Sequence, residues 1–410
     1  MISKIKQALY FPIATYFRFF AQIQLFFWKP KIIVITGSNA KTTLLHLLES
    51  QIGDRAKYTH QGNSSYGIPF DILDLKRETL TLDEWPIRIL LAPFKAFRKP
   101  PEQKLYIVEA DCDRPNEGKF LATLLQPDAT LWVSISKSHS MNFEKPVEEN
   151  IALEFGYFLE YTKNLAIING DAPLIKKQLS RTKAKTVLIT QKDLQKYDLR
   201  KDKTEFKIKN KVYKFKFLLP RESFYQIMAT LKILDYLKLH FDPSFSKFVL
   251  PPGRCSVFQG IKNTTLIDSS YNANLSSMKV ILEMFNQIPA GKKWAVLGDM
   301  LEQGTEEQLE HEELAEIVLK YNLEKIILMG PRVSKYTYPK LKYPEIVSFI
   351  NPKETLDYLN SNLKGGEIIL FKGARFLEGV IEHLLKNKED VSKLCRREKI
   401  WEKRRSKWGL

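Results

Sequence analysis

Residues 32–50 read "IIVITGSNAKTTLLHLLES", and how this stretch is taken decides the fold. A run of apolar, mostly β-branched residues meets a small polar turn, then Lys41-Thr42-Thr43, then leucines at helical spacing. The run predicts a buried strand, and the leucines predict a helix over 42–52. A strand, a tight turn and a helix in that order aim consecutive backbone N–H groups and a helix N-terminus at one spot, which suits an anion. Gly37, Lys41 and Thr42 offer the glycine, the cation and the metal-ligating hydroxyl of a phosphate-binding loop. The strict pattern is broken at Ile35 and Ala40, where glycines are expected. If residue 40 must take a positive φ, alanine there costs roughly 1 kcal/mol.

Outward from the loop the same alternation continues. "KLYIVEAD" (104–111), "ATLWVSIS" (129–136) and "NLAIING" (164–170) read as strands, with helices over 117–126 and 147–162 between them. Strands alternating with helices at this spacing imply βαβ units and a mainly parallel, doubly wound sheet. Residues 184–217 differ: "TVLIT" precedes "EFKIKNKVYKFKFL", whose Lys-Asn-Lys centre predicts an antiparallel hairpin on the sheet edge. A helix over 222–240 and "PPGR" (251–254) close the unit. A second series follows: "TTLIDSSYNA", a helix near 275–287, "KKWAVLGDM", a helix near 305–321, "KIILMG", and "EIILFKGAR" before a last helix. The expected class is therefore α/β: a P-loop ATPase central domain with a mainly parallel sheet, plus a smaller Rossmann-like C-terminal domain. The expected divisions are an aromatic arm over 1–30, the central domain over 31–260, the C-terminal domain over 261–386, and a basic tail over 387–410.

At 410 residues the chain can bury a large core. Its net charge of +17 asks for an anionic partner or a lysine-rich solvated surface, and the lysines spread along the whole chain favour the surface. No base-reading motif accompanies the charge, which argues against nucleic acid. Cys112, Cys255 and Cys395 lie far apart with no CxxC spacing, so a disulfide framework or structural zinc site is not expected, and a cytoplasmic setting is. Residues 5–30, "IKQALYFPIATYFRFFAQIQLFFWKP", are densely aromatic, but Pro12, Arg18, Gln22 and Gln24 interrupt them. That excludes a good spanning helix and leaves two readings: peripheral membrane contact by an amphipathic helix, or packing on the domain.

The islands "HQGNSSYGIPFDIL" (60–73), "VEADCDRPNEGKFLATLLQPDATLWVSISKSHSMNF" (108–143), "NGDAP" (169–173), "GR" (253–254), "LIDSSYNANLSSM" (266–278), "AVLGDMLEQG" (295–304) and "LFKGAR" (370–375) fall in one order. In that order they resemble the Mur ligases, the ATP-dependent peptide-adding enzymes of cell-wall precursor synthesis. "YNAN…SM" and "LGDMLE.G" resemble the D-alanyl-D-alanine-adding branch. The resemblance implies an ATP- and Mg2+-dependent carbon–nitrogen ligase that makes an acyl phosphate and captures it with an amine. It implies nucleotide contacts at Gly37, Ser38, Asn39, Lys41, Thr42, Thr43, Arg254 and Asp268. Metal would lie at Thr42, Glu109 and His139, with Lys41, Glu109 and His139 carrying the chemistry. Substrate contacts would come from Asn63, Ser64, Tyr271, Asn272, Lys372 and Arg375. The implied partners are a small-molecule or lipid-linked wall-precursor acceptor and an amino acid or dipeptide.

Three further departures from the family pattern stand out. The roughly 30 residues before the loop offer no counterpart to the family's uridine-diphosphate-gripping domain. Phe155 stands where the family often has a carbamylated lysine; Glu154 beside it could supply a carboxylate instead, but adjacent helical positions point about 100° apart, so that replacement needs the helix to rotate. Glu222, Ser223 and Gln226 replace the family's histidine–asparagine run near the adenine. His311 in "EQLEHEEL" is expected on a helix surface. The alternatives left open are a Mur-like ligase of changed acceptor and a non-catalytic nucleotide-binding protein with a degenerate ligase fold.

Overall fold

Near-continuous apolar runs make strands that are buried on both faces, and such strands belong in parallel sheets covered by helices. The structure, a computed structural model, describes residues 9–60, 62–76, 84–138, 140–341 and 345–410. Its elements run α1 (Tyr10–Trp28), β1 (Lys31–Thr36), α2 (Lys41–Ile52), β2 (Ala56–Tyr58), α3 (Gly67–Leu73), α4 (Trp85–Ala96), β3 (Leu105–Glu109), α5 (Glu117–Leu125), β4 (Ala129–Trp132), α6 (Val147–Glu160), β5 (Leu165–Asn169), α7 (Pro173–Lys177) and β6 (Lys185–Ile189). Then come β7 (Leu194–Leu199), β8 (Thr204–Ile208), β9 (Lys211–Phe215) and α8 (Ser223–Leu237). The remainder is β10 (Ser256–Gln259), β11 (Thr265–Ser269), α9 (Leu275–Gln287), β12 (Lys293–Gly298), α10 (Glu307–Val318), β13 (Lys325–Met329), β14 (Ile346–Phe349), α11 (Pro352–Asn362), β15 (Ile368–Lys372), α12 (Leu377–Leu384) and α13 (Lys399–Ser406).

The first sheet has the order β2-β3-β1-β4-β5-β6, all parallel. β1 sits between β3 and β4, so the chain leaves it toward one side and later returns on the other. That is the topological switch point, where open α/β sheets hold their ligands. The loop 37–40 therefore starts in the crevice between the ends of β3 and β4. The second sheet has the order β10-β11-β15-β12-β13-β14, parallel except for β10. β10 precedes residue 261 in the chain yet pairs with β11, so the second sheet begins before the boundary expected there.

The Lys-Asn-Lys turn is present: Lys209 and Asn210 both take positive φ, 47° and 66°, as a two-residue hairpin needs. The hairpin does not extend the large sheet, however. β7 joins it, and β7-β8-β9 form their own antiparallel sheet. Phe206, Ile208, Tyr213 and Phe215 point from it into the core shared with α2 and α8. Burying these alternate side chains holds the small sheet flat against the first domain's helices rather than edge-on.

Of the aromatic arm, residues 1–8 lie outside the described residues, and Tyr10–Trp28 form a helix with two faces. Ala14, Phe17, Ala21 and Trp28 are fully buried against α3, α4 and the first sheet. The indole Nε1 of Trp28 donates to Gln103 O at 2.6 Å. Phe19, Phe26 and Phe27 face outward. No helix among the described residues is long and apolar enough to cross a membrane.

Candidate active site

The loop after β1 is fixed by residues that follow β4. Ser38 Oγ donates to Ser136 O at 2.8 Å, and Asn39 N donates to Ser134 Oγ at 2.8 Å. Asn39 Nδ2 reaches Ser136 Oγ at 3.0 Å. Gly37 has φ +123°, and a Cβ there would stand 2.5 Å from Ser134 O, so this position needs glycine on both counts. Ala40 precedes α2 with φ 64° and ψ 8°, the left-handed conformation that the loop geometry demands. The strain inferred from spacing is therefore present in the chain. Past it, the first N–H groups of α2 have no intrahelical acceptors, and they open onto a cavity of about 470 Å³.

Lys41, the first residue of α2, is buried in that cavity. Its Nζ lies 2.7 Å from Asp111 Oδ2 and donates to Gly37 O. Burial presses the ammonium toward neutrality, but Asp111 and Glu109 outweigh it and hold the pKa above the usual lysine value. Glu109 ends β3, where Thr42 Oγ1 donates to its Oε1 at 3.3 Å. Burial raises the Glu109 carboxyl, and Lys41 pulls it partly back. Thr42 and Glu109 thus present two oxygens at nearly the spacing of adjacent ligands, about 3 Å, in an octahedral magnesium shell. The donor set fits that ion: hard oxygens beside a cation that can face phosphate.

The opposite wall comes from the second half of the chain. Arg254 Nη2 lies 3.4 Å from Thr42 Oγ1, and its guanidinium stacks 3.8 Å from the Tyr271 ring centre. Lys372, at the end of β15, is buried and donates to Asn272 O at 2.6 Å. Burial pushes its pKa down to about 8. Asn274 Nδ2 donates to Asn39 Oδ1 at 3.0 Å, joining the two walls directly.

Ser38, Asn39, Lys41, Thr42, Thr43, Asn63, Glu109, Arg254, Tyr271, Asn272 and Lys372 all line this cavity. Gly37 shapes the loop behind it. Ser64 does not line it: its Oγ accepts from Gly67 N at 3.3 Å, at the start of α3. Asp268 does not line it either. It is fully buried, with Oδ1 accepting from Ser270 N at 2.9 Å and Oδ2 unpartnered among the described residues. Arg375 is exposed and stacks 5.1 Å from the Trp401 ring centre, tying the last strand to the basic tail. His139 lies outside the described residues.

Seven other residues gain definite places. Asp111 faces Lys41 but was not singled out; the signal was its place two residues beyond Glu109, just past the same strand end. Glu222, Ser223 and Gln226 line the cavity. Phe155 is fully buried with its ring 5.8 Å from Trp132, and Glu154 has not rotated to replace a lysine there. Glu154 instead accepts from Asn116 N at 2.7 Å and Gly118 N at 2.8 Å, capping α5. His311, expected on a helix surface, is fully buried: its Nε2 accepts from Met300 N at 3.2 Å, while Nδ1 meets Glu307 O at 2.7 Å. The buried ring thus serves the "LGDM" string by accepting the Met300 amide.

The comparisons follow the same two-part layout. A family model described as the Mur ligase middle domain matches residues 35–231, and one described as the Mur ligase, glutamate ligase domain matches 253–375. The UDP-N-acetylmuramoyl-tripeptide–D-alanyl-D-alanine ligase of Rickettsia prowazekii (strain Madrid E) is 27% identical over 373 residues, covering 85% of this chain and 76% of the relative. Its namesake from Bacillus subtilis (strain 168) is 24% identical over 375 residues, covering 87% and 76%. The MurF ligase of Thermotoga maritima, solved in complex with ADP, superposes with a TM-score of 0.71 at 22% identity, covering 95% of this chain and 84% of that one. With the two matched segments falling on the two walls of the cavity, the chain belongs to the Mur ligase family.

Proposed function

We propose that this chain is an ATP- and Mg2+-dependent acid–amino-acid ligase of cell-wall precursor synthesis. By analogy with its relatives' names, it joins D-alanyl-D-alanine or a similar amine to a muramoyl-peptide carboxylate. One observation carries the reading. A buried lysine and a Thr–Glu oxygen pair from one sheet meet an arginine and a buried lysine from the other across a single cavity.

The reaction asks for positioning and charge neutralisation more than for covalent help from the protein. A carboxylate oxygen of the acceptor bonds to the γ-phosphorus as ADP leaves, giving an acyl phosphate. The amine nitrogen then bonds to the acyl carbon, phosphate leaves, and the nitrogen loses a proton. Magnesium, when bound, draws charge from the phosphate oxygens. Thr42 and Glu109 would hold it, with His139 as a further ligand. Lys41 and the loop amides bind the outer phosphates, and displacing the Asp111 contact is what frees the Lys41 ammonium to do so. Arg254 and Lys372 bring positive charge from the second wall, so the reacting groups are surrounded only when both walls are in place. Asn63, Tyr271 and Asn272 border the space left for acceptor and amine.

A lipid-linked acceptor is a second reading, favoured by the outward aromatic face of α1. The test is phosphate release from ATP, measured with UDP-N-acetylmuramoyl-tripeptide, a lipid-linked muramoyl peptide, D-alanyl-D-alanine and single amino acids. Release that requires both an acceptor and an amine supports the ligase. ATP binding with no turnover across the whole panel overturns it.

A further inference from the structure

The exposed large apolar side chains of this protein are densest on one face, formed by α1 and α4. α1 and α4 lie side by side and in the same direction. Phe17 meets Trp85 with ring centres 6.0 Å apart, Tyr16 Oη donates to Ile89 O at 2.8 Å, and Phe27 meets Phe97 at 6.3 Å. Their inner faces enter the core through Phe17, Ala21, Ala92 and Ala96. Their outer faces carry Phe19, Phe26, Phe27, Leu90, Phe94 and Phe97, and Phe26, Leu90, Phe94 and Phe97 are each 67% to 77% exposed. On α4 the outward positions 87, 90, 91 and 94 follow the helical repeat, so they form one stripe and not isolated exceptions. Single exposed apolar residues need no explanation, but a contiguous patch of this kind marks a binding surface.

We propose that this two-helix face docks on an anionic lipid bilayer, lying in its interface without crossing it. Neither helix contains a carboxylate. Where they end together, Lys29, Lys95, Arg98, Lys99 and Lys104 outnumber Asp74 and Glu102. Aromatic and aliphatic side chains beside a rim of net positive charge match the acyl boundary and the phosphate layer of such a surface. A second copy of the chain matches it poorly, because a two-fold contact would bring the same cations against themselves. The helix Tyr10–Trp28 also carries Arg18 and Gln24 on its protein-facing side, which suits an element bound along a membrane plane rather than through it. The inference goes beyond the ligase reading and does not depend on it.

The test is sedimentation of the full chain with vesicles of phosphatidylcholine alone, and with about a third phosphatidylglycerol. Binding to the anionic vesicles should exceed binding to the neutral ones about tenfold and weaken with salt. The double substitution Leu90→Glu with Phe94→Glu should lower it at least about tenfold. Lys29→Glu with Lys99→Glu, which leaves the apolar stripe intact, should lower it by a smaller factor. ATP-dependent ligation of soluble substrates should stay unchanged in both, so a failed ligase assay and a failed docking assay are separate results. No vesicle binding by the parent overturns the proposal. So does binding that survives the Leu90/Phe94 change, which would place it on the basic tail. Loss of self-association in that variant, without any vesicle binding in the parent, would make the face a contact between copies and overturn it too.

Discussion

Each wall of the cavity buries one lysine, and the two are given opposite surroundings. Lys41 sits among carboxylates: Asp111 at 2.7 Å and Glu109 nearby keep it charged against burial. Lys372 donates to a backbone carbonyl at 2.6 Å, with cationic Arg254 and the buried Asp268 carboxyl both in its neighbourhood, and burial wins, pushing it down to about 8. A buried charge with a partner can be neutral or favourable to the fold, whereas one without a partner is a cost. The first wall is thus complete as it stands, and the second is incomplete until an anion arrives. Under the proposed reaction that anion is a phosphate group or the developing charge of the transferring phosphoryl.

The comparison is broken most severely at Lys41. Lys41→Met removes the loop's cation and leaves Asp111 facing no ammonium. Ligation should fall on the order of 10³-fold, and stability should fall by about 3 kcal/mol in urea unfolding. Parental activity in Lys41→Met would end the loop assignment.

Lys372→Met should separate the two properties. Activity should drop roughly 100-fold, yet the protein should become about 1 to 3 kcal/mol more stable at pH 7, because a buried, poorly compensated charge is gone. The pH dependence has a definite sign. With the folded-state pKa at about 8 against an ordinary 10.5, the unfolded chain holds this proton more tightly. The cost to the fold is complete below pH 8 and is relieved as pH rises toward 10.5, so this group makes stability climb over that window. The climb should be absent in Lys372→Met, and parental activity should decline above about pH 8 as the charge is lost. A variant that is both inactive and less stable would refute the contrast.

Asp111→Asn sharpens the first wall. It keeps the shape and removes the charge, so Lys41 should lose about 1 to 2 kcal/mol of support while ATP affinity rises or holds. Calorimetry of nucleotide binding beside unfolding curves reads both. The smallest effect is expected at Ala40→Gly, which relieves a left-handed alanine and should add about 1 kcal/mol with activity kept or raised.

Much of this was legible because strands and loops signal by local pattern. The apolar runs and the spacing of "GSNAKTT" gave the order of elements and even the strain at Ala40. What escaped was decided by long-range packing. Nothing local in "EQLEHEEL" says that His311 must satisfy the Met300 amide. Glu154 offers a carboxylate next to the family's lysine position, and only the packing of α5's first turn onto it shows that it is used as a cap. Asp111 faces Lys41 because β3 and β1 are neighbours in the sheet. The fate of the hairpin 204–215 depended on β7, a strand too polar to read. Ser64 and Arg375 sit in motif islands, yet a motif's backbone can border a cavity while a given side chain turns aside.

Asn274 holds the first turn of Leu275–Gln287 through Ser277 N at 2.8 Å, and with its other amide atom it grips Asn39 in the loop. One side chain therefore reports the state of the first half to the second. A nucleotide that displaces Asn39 would free the Nδ2 end of that side chain, so filling the loop should bear on the far wall's first turn, readable as faster amide exchange at Ser277 on ADP addition.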